Sequence, residues 1–124
     1  MKFQVFCILI AVTLLTACSS APEEAAPTLT ASEQQGQAVF KLRCAQCHAL
    51  TPETTVIGPS LAGIATRAAT RMEGYDAEAY IEHSILSPKD YLVEGFPDTM
   101  PTNFGKELTS EELSSVVAYL MTLK

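Results

Sequence analysis

The sequence predicts an all-α domain, and three observations carry that prediction. Near the C-terminus, Thr109-Ser110-Glu111-Glu112 opens a run in which Leu113, Val116, Val117 and Leu120 recur at i, i+3, i+4 and i+7. That spacing lines one face of a helix, and the T-x-x-E start is a capping box. Asp76 stands as an N-cap candidate before a second helical segment. No pair of segments alternates apolar and polar residues as a hairpin would, and no internal repeat is visible.

The 124 residues are enough for one domain. Lys2 is followed by an apolar run from Phe3 to Leu15 that is short for a bilayer span. Residues 1–17 therefore read as an export signal. Leu15-Thr16-Ala17-Cys18 closes it and resembles a bacterial lipobox, in which the cut falls before the cysteine and that cysteine receives lipid. The competing reading is an ordinary signal cut near Ala17 or Ala21. A lipidated Cys18 carrying two or more acyl chains would hold the protein on a bacterial membrane, facing the periplasm or the cell exterior. Residues 18–31 are rich in Ala, Pro, Ser and Glu and aperiodic, and they read as a flexible tether. Fully stretched, such a tether reaches about 45 Å; relaxed, it spans roughly 20 Å.

The folded domain is predicted over 32–124. Ser32 with Gln35 matches a capping box, and Ala38, Val39, Phe40 and Leu42 supply the apolar side of the helix that follows. That helix runs straight into Cys44. Residues 49–60 read as a loop punctuated by Thr51-Pro52 and Gly58-Pro59. A short helix is expected within Ser60–Arg71. The helix after Asp76 carries Ala79, Tyr80, His83 and Leu86, and Ser87-Pro88 ends it. Residues 88–108 hold three prolines, two glycines and two phenylalanines and read as a structured loop.

From Cys18 onward, seven Lys and Arg face fourteen Asp and Glu, a net charge of −7. Nucleic acid is excluded as a natural partner. Partners with basic docking patches and salt-sensitive association are the expectation. Of the four cysteines, Cys7 falls in the signal and Cys18 at its end. Cys44 and Cys47 alone remain in the domain, which is no disulfide framework.

Cys44-Ala45-Gln46-Cys47-His48 is the motif that carries chemistry. In an exported protein, C-x-x-C-H reads as covalent attachment of a c-type haem. Two thiols at this spacing meet the two vinyl groups of one porphyrin, and His48 is carried beneath the iron as an axial ligand. The rivals are a dithiol redox pair, which expects a β-α-β setting, and a zinc site, which needs about four ligands where only Cys44, Cys47, His48 and distant His83 are on offer. The methionines open to act as a second axial ligand are Met72, Met100 and Met121, with His83 as a further candidate; Met121, in the last helix, reads as packing.

With these residues in place, the chain resembles a class I, mitochondrial-like, monohaem c-type cytochrome over nearly all of 32–124. Gly36 and Phe40, Cys44-Cys47-His48, Gly58-Pro59-Ser60-Leu61, Met100-Pro101 and Tyr119-Leu120 carry the resemblance. It implies three to five helices around one covalently bound haem c. It also implies His48 and Met100 as iron ligands, the Pro59 carbonyl as acceptor from His48, and crossed first and last helices locked by Gly36, Phe40 and Tyr119. Leu61, Ile64, Tyr91, Leu92, Phe96 and Phe104 are the candidate pocket wall. Arg67, Arg71 and Tyr91 either pair with the haem propionates or are simply solvated.

The expected function is single-electron transfer between respiratory or photosynthetic complexes, with no catalytic residues. A quinol-oxidising complex would be the donor and a terminal oxidase or reductase the acceptor. The alternatives are a small haem subunit held permanently in a respiratory complex, or a ligand-binding haem sensor or enzyme with an open distal side.

Overall fold

The computed structural model describes residues 28–124; the signal, Cys18 and most of the tether lie outside the described residues. Within them the chain forms α1 (Ala31–Arg43), α2 (Ile64–Arg67), a 3-10 turn (Ala68–Thr70), α3 (Ala77–Leu86), α4 (Phe104–Glu107) and α5 (Ser110–Met121). The single β-type pairing among the described residues is an isolated bridge between His48 and Thr55. The class is all-α, as the sequence predicts.

The first helix begins earlier than expected. Its cap is Thr30, whose hydroxyl accepts from the Glu33 N–H at 3.3 Å while the Glu33 carboxylate accepts from the Thr30 N–H at 2.6 Å. Ser32 and Gln35 match the same template but sit inside the helix. A carboxylate suits the positive end of the helix better than an amide does. Leu29, assigned to the tether, also packs on the core. The buried side of α1 is Gly36, Val39 and Phe40, while Ala38 and Leu42 are exposed, Leu42 at 72 %.

α1 crosses α5 in the most extensive helix pairing of the molecule. A methyl group at Gly36 would overlap the Ser115 carbonyl oxygen and lie 2.8 Å from Tyr119 Cβ, so only glycine allows this approach. The Phe40 and Tyr119 rings meet beside it, centroids 5.8 Å apart and planes tilted by 52°. α5 is capped by Thr109 and Glu112 as the sequence predicts, and it buries Val116, Val117 and Leu120.

α3 starts at Asp76, whose carboxylate accepts from the Ala79 N–H at 2.8 Å. Its buried face is Tyr80, Ile81 and Ile85, rotated from the predicted Ala79–Tyr80–His83–Leu86 side. His83 turns instead to Asp90 at 2.9 Å, and Leu86 is 38 % exposed. The short helix expected within Ser60–Arg71 is α2 with its 3-10 extension. The expected loop 88–108 contains one more turn of helix, α4, which buries Phe104.

Candidate functional site

The end of α1 is the start of the site. Cys44 is the C-cap, its N–H bonded to the Phe40 carbonyl at 2.9 Å. The N–H groups of Cys47 and His48 then both return to the Cys44 carbonyl at 3.0 Å. The helical sense thus persists just long enough to display Cys44, Cys47 and His48 together. The loop that follows folds back on this turn. Ile57 and Gly58 donate to the Cys47 carbonyl at 3.2 and 2.9 Å, and Leu61 donates to the Ala49 carbonyl at 2.8 Å.

That loop orients the imidazole. His48 Nδ1 lies 2.8 Å from the Pro59 carbonyl oxygen. A carbonyl only accepts, so Nδ1 carries the proton and Nε2 keeps its lone pair for a metal. Gly58 makes the cradle: a Cβ there would fall 2.5 Å from His48 Cε1.

These residues open onto a cavity of about 440 Å³, within the range of about 300–1,000 Å³ usual for a bound small molecule or cofactor. Leu61, Ile64, Tyr91, Leu92, Phe96 and Phe104, the candidate wall residues, all line it, and so does Met100. α3 adds Tyr80, Ile81, Ser84 and Ile85, which the sequence reading did not assign to the wall. Their i, i+1, i+4, i+5 stripe is legible once Ile81 and Ile85, rather than His83 and Leu86, are taken as the inward positions.

The other iron-ligand candidates lie elsewhere. Met72 and Met121 pack against the core and are not among the lining residues. His83 is likewise outside the lining. Arg67 and Arg71 both line the cavity. Arg67 is not simply solvated, because its guanidinium donates to the Ala62 and Ser60 carbonyls. Burial, and then the neighbouring Arg71 charge, lower its pKa.

The two rivals of haem attachment lose support here. Burial, helped by the neighbouring Cys47, pushes the Cys44 thiol up to about 11. A dithiol oxidoreductase needs the opposite, a thiolate favoured near neutral pH. Among the described residues no three His, Cys, Asp or Glu side chains gather to hold a metal, as a structural zinc would require. What the residues do fit is a flat apolar cofactor with one metal: two neighbouring thiols, an oriented imidazole and a largely apolar wall.

Comparison with known proteins agrees with that geometry. Residues 33–124 match the family model "Cytochrome c". The chain is 33 % identical over 72 residues to "Cytochrome c type-1" of Ascaris suum, covering 48 % of this chain and 63 % of that protein. It is 30 % identical over 71 residues to "Cytochrome c 2.1" of Caenorhabditis elegans, covering 48 % and 64 %. It thus spans just under two thirds of the length of these nematode relatives. A 28 % identical match to "Cytochrome c" of Kluyveromyces lactis runs over 109 residues, 77 % of this chain and 94 % of that one. The chain belongs to the cytochrome c family, and its match spans Cys44, Cys47 and His48.

Proposed function

We propose that the protein is a membrane-tethered carrier of single electrons, with His48 and Met100 as its two axial ligands. The observation that carries this assignment is the cavity lining: of the methionines among the described residues, Met100 alone shares the cavity with Cys44, Cys47 and His48. Bound haem c supplies a one-electron iron couple.

The chain's own residues set how that couple behaves. Cys44 and Cys47 fix the cofactor covalently. Pro59 holds His48 in the tautomer that presents Nε2, and this backbone acceptor also makes the imidazole a better donor. The Met100 thioether, a soft ligand, favours the reduced state and raises the potential. Leu61, Ile64, Tyr91 and Phe104 keep water from the site. An iron held by both His48 and Met100 would have no position open to oxygen or peroxide.

The N-terminal readings complete the proposal. Signal 1–17 exports the chain, and lipid on Cys18 holds it to a bacterial membrane, on the periplasmic or outer face. α1 runs for 13 residues between Thr30 and Cys44, so its start lies about 20 Å from the attachment cysteines. A quinol-oxidising complex is the proposed donor and a terminal oxidase or reductase the acceptor. The acidic balance favours basic docking patches on both.

Paired variants test the ligand assignment. Met100→Ala should keep haem covalently attached, lower the midpoint potential and admit external ligands, while Met72→Ala should do none of the last two. The reverse pattern would move the ligand to Met72.

A further inference from the structure

We propose that the groove between α3 and α5 is a docking site for an arginine side chain of a partner protein, separate from the haem cavity. The inference gives a place to the basic docking contact of the proposed function, and it rests on that reading.

The groove encloses about 200 Å³ and is lined by Glu78 and Glu82 from α3 and by Ser110, Leu113, Ser114 and Val117 from α5. None of these lines the cavity that carries Cys44, Cys47, His48 and Met100. Helical register explains the arrangement. Glu78 and Glu82 are one turn apart and stand on the same face of α3. On α5, Ser110 and Ser114 form one such row, and Leu113 and Val117 form the next. Val117 is buried and Leu113 packs against the core, so the two give the groove an apolar floor.

The polar groups above that floor ask for a donor. The two carboxylates, ionised at neutral pH, only accept. Ser114 Oγ gives its proton to the Glu111 carbonyl at 3.0 Å, which leaves it only lone pairs to offer. Neither glutamate has an ion-pair partner among the described residues: Arg43 pairs with Glu107, and Lys89 with Asp98. Like charges one turn apart repel, and an incoming cation relieves that repulsion. The cavity has the opposite balance, since Arg43, Arg67 and Arg71 line it against the single carboxylate of Glu107. Charge complementarity to a basic partner is therefore found at the groove rather than at the cavity.

Arginine suits both levels of the groove. Its planar fork of donors can serve two carboxylates at once, and its methylene stem can lie along Leu113 and Val117. Arginine is also enriched in protein–protein interfaces. Because groove and cavity share no residue, a partner seated in the groove needs none of the contacts made at the haem.

The test titrates acetylated, amidated hexa-arginine into the full, haem-loaded ferrous protein and follows amide chemical shifts. Ionic strength is held at about 0.15 M, where distant charges are screened. Saturable shifts should gather at Glu78, Glu82, Ser110, Leu113, Ser114 and Val117. The double variant Glu78→Gln, Glu82→Gln should bind about tenfold more weakly, as the loss of two partly exposed charge pairs implies. Glu73→Gln with Glu94→Gln removes the same charge from exposed positions outside the groove, and should change binding by less than about twofold. Equal weakening in both double variants would reveal attraction to net charge alone and overturn the proposal. Shifts that do not saturate, that scatter over the acidic surface, or that gather at the cavity residues would also overturn it. Carbon monoxide added to the same ferrous sample separates the two layers. If the iron binds it, the carrier reading fails and takes this inference with it. If the iron stays closed while the shifts gather elsewhere, the groove assignment alone fails.

Discussion

Across the α1–α5 crossing, side chains meet side chains directly. Each helix opens on a capping box, Thr30 with Glu33 and Thr109 with Glu112. Gly36 lets the backbones approach, and Phe40 and Tyr119 fill the contact, 2 % and 4 % exposed. The segment 88–103 is built differently. It is held by isolated turns, such as Phe96 N–H to the Val93 carbonyl at 3.1 Å and Thr99 N–H to the Pro97 carbonyl at 2.9 Å. Its polar contacts, the His83–Asp90 hydrogen bond at 2.9 Å and the Lys89–Asp98 ion pair at 3.3 Å, reach into solvent and add little. Tyr91 packs edge-on against Tyr80 at 5.7 Å and lines the cavity. The crossing therefore carries its own stability, whereas the loop that bears Met100 depends on what it wraps.

Removing both attachment thiols should expose this difference most strongly. In the double variant Cys44→Ala, Cys47→Ala, amide exchange in 88–103 should become nearly unprotected while the middle of α1 and α5 keeps measurable protection. Equal loss in both regions would show one cooperative unit with no self-supporting frame.

Phe40→Ala attacks the frame instead. Truncating this buried ring should cost about 3–5 kcal/mol in denaturant unfolding of the haem-loaded protein, with little change in midpoint potential. A large potential shift with small loss of stability would invert the roles assigned to the two regions.

Thr109→Ala should cost about 1 kcal/mol, since it removes the N-cap of α5 without touching the cavity. The same change should leave imidazole binding to the ferric protein unaltered.

The smallest effect expected is an acid one. The Glu112 carboxylate accepts from the Thr109 N–H and hydroxyl, and these hydrogen bonds hold its pKa below the ordinary 4.5. A carboxylate with a depressed folded pKa contributes stability that is complete above its unfolded value and is lost as pH falls through the folded one. Glu112→Gln should thus flatten the pH dependence of stability below about 4.5 and leave it unchanged near neutrality.

Much of this was legible in the chain. α5 announces itself because its cap and its apolar stripe agree in register, and Asp76 marks the start of α3. Cys44, Cys47 and His48 are found by spacing alone, because the chemistry demands that spacing. The errors have physical causes. Thr30–Glu33 and Ser32–Gln35 both fit one capping template, and local sequence does not say which N–H groups lie free at the helix end. Leu42 and Leu86 are apolar but turned outward, because the inward face of each helix is chosen by its neighbours. α4, Phe104–Glu107, is too short to show a period. The Arg67 contacts to Ser60 and Ala62 tie α2 to the loop before it, and no sequence pattern marks them.

The central claim is an iron closed on both sides by this chain's own residues. A reduced spectrum of the haem-loaded protein, taken with and without carbon monoxide, tests it most directly. The account predicts a low-spin c-type spectrum that carbon monoxide leaves unchanged. Prompt carbon monoxide binding would contradict it, showing an open or labile distal position and removing the role given to Met100.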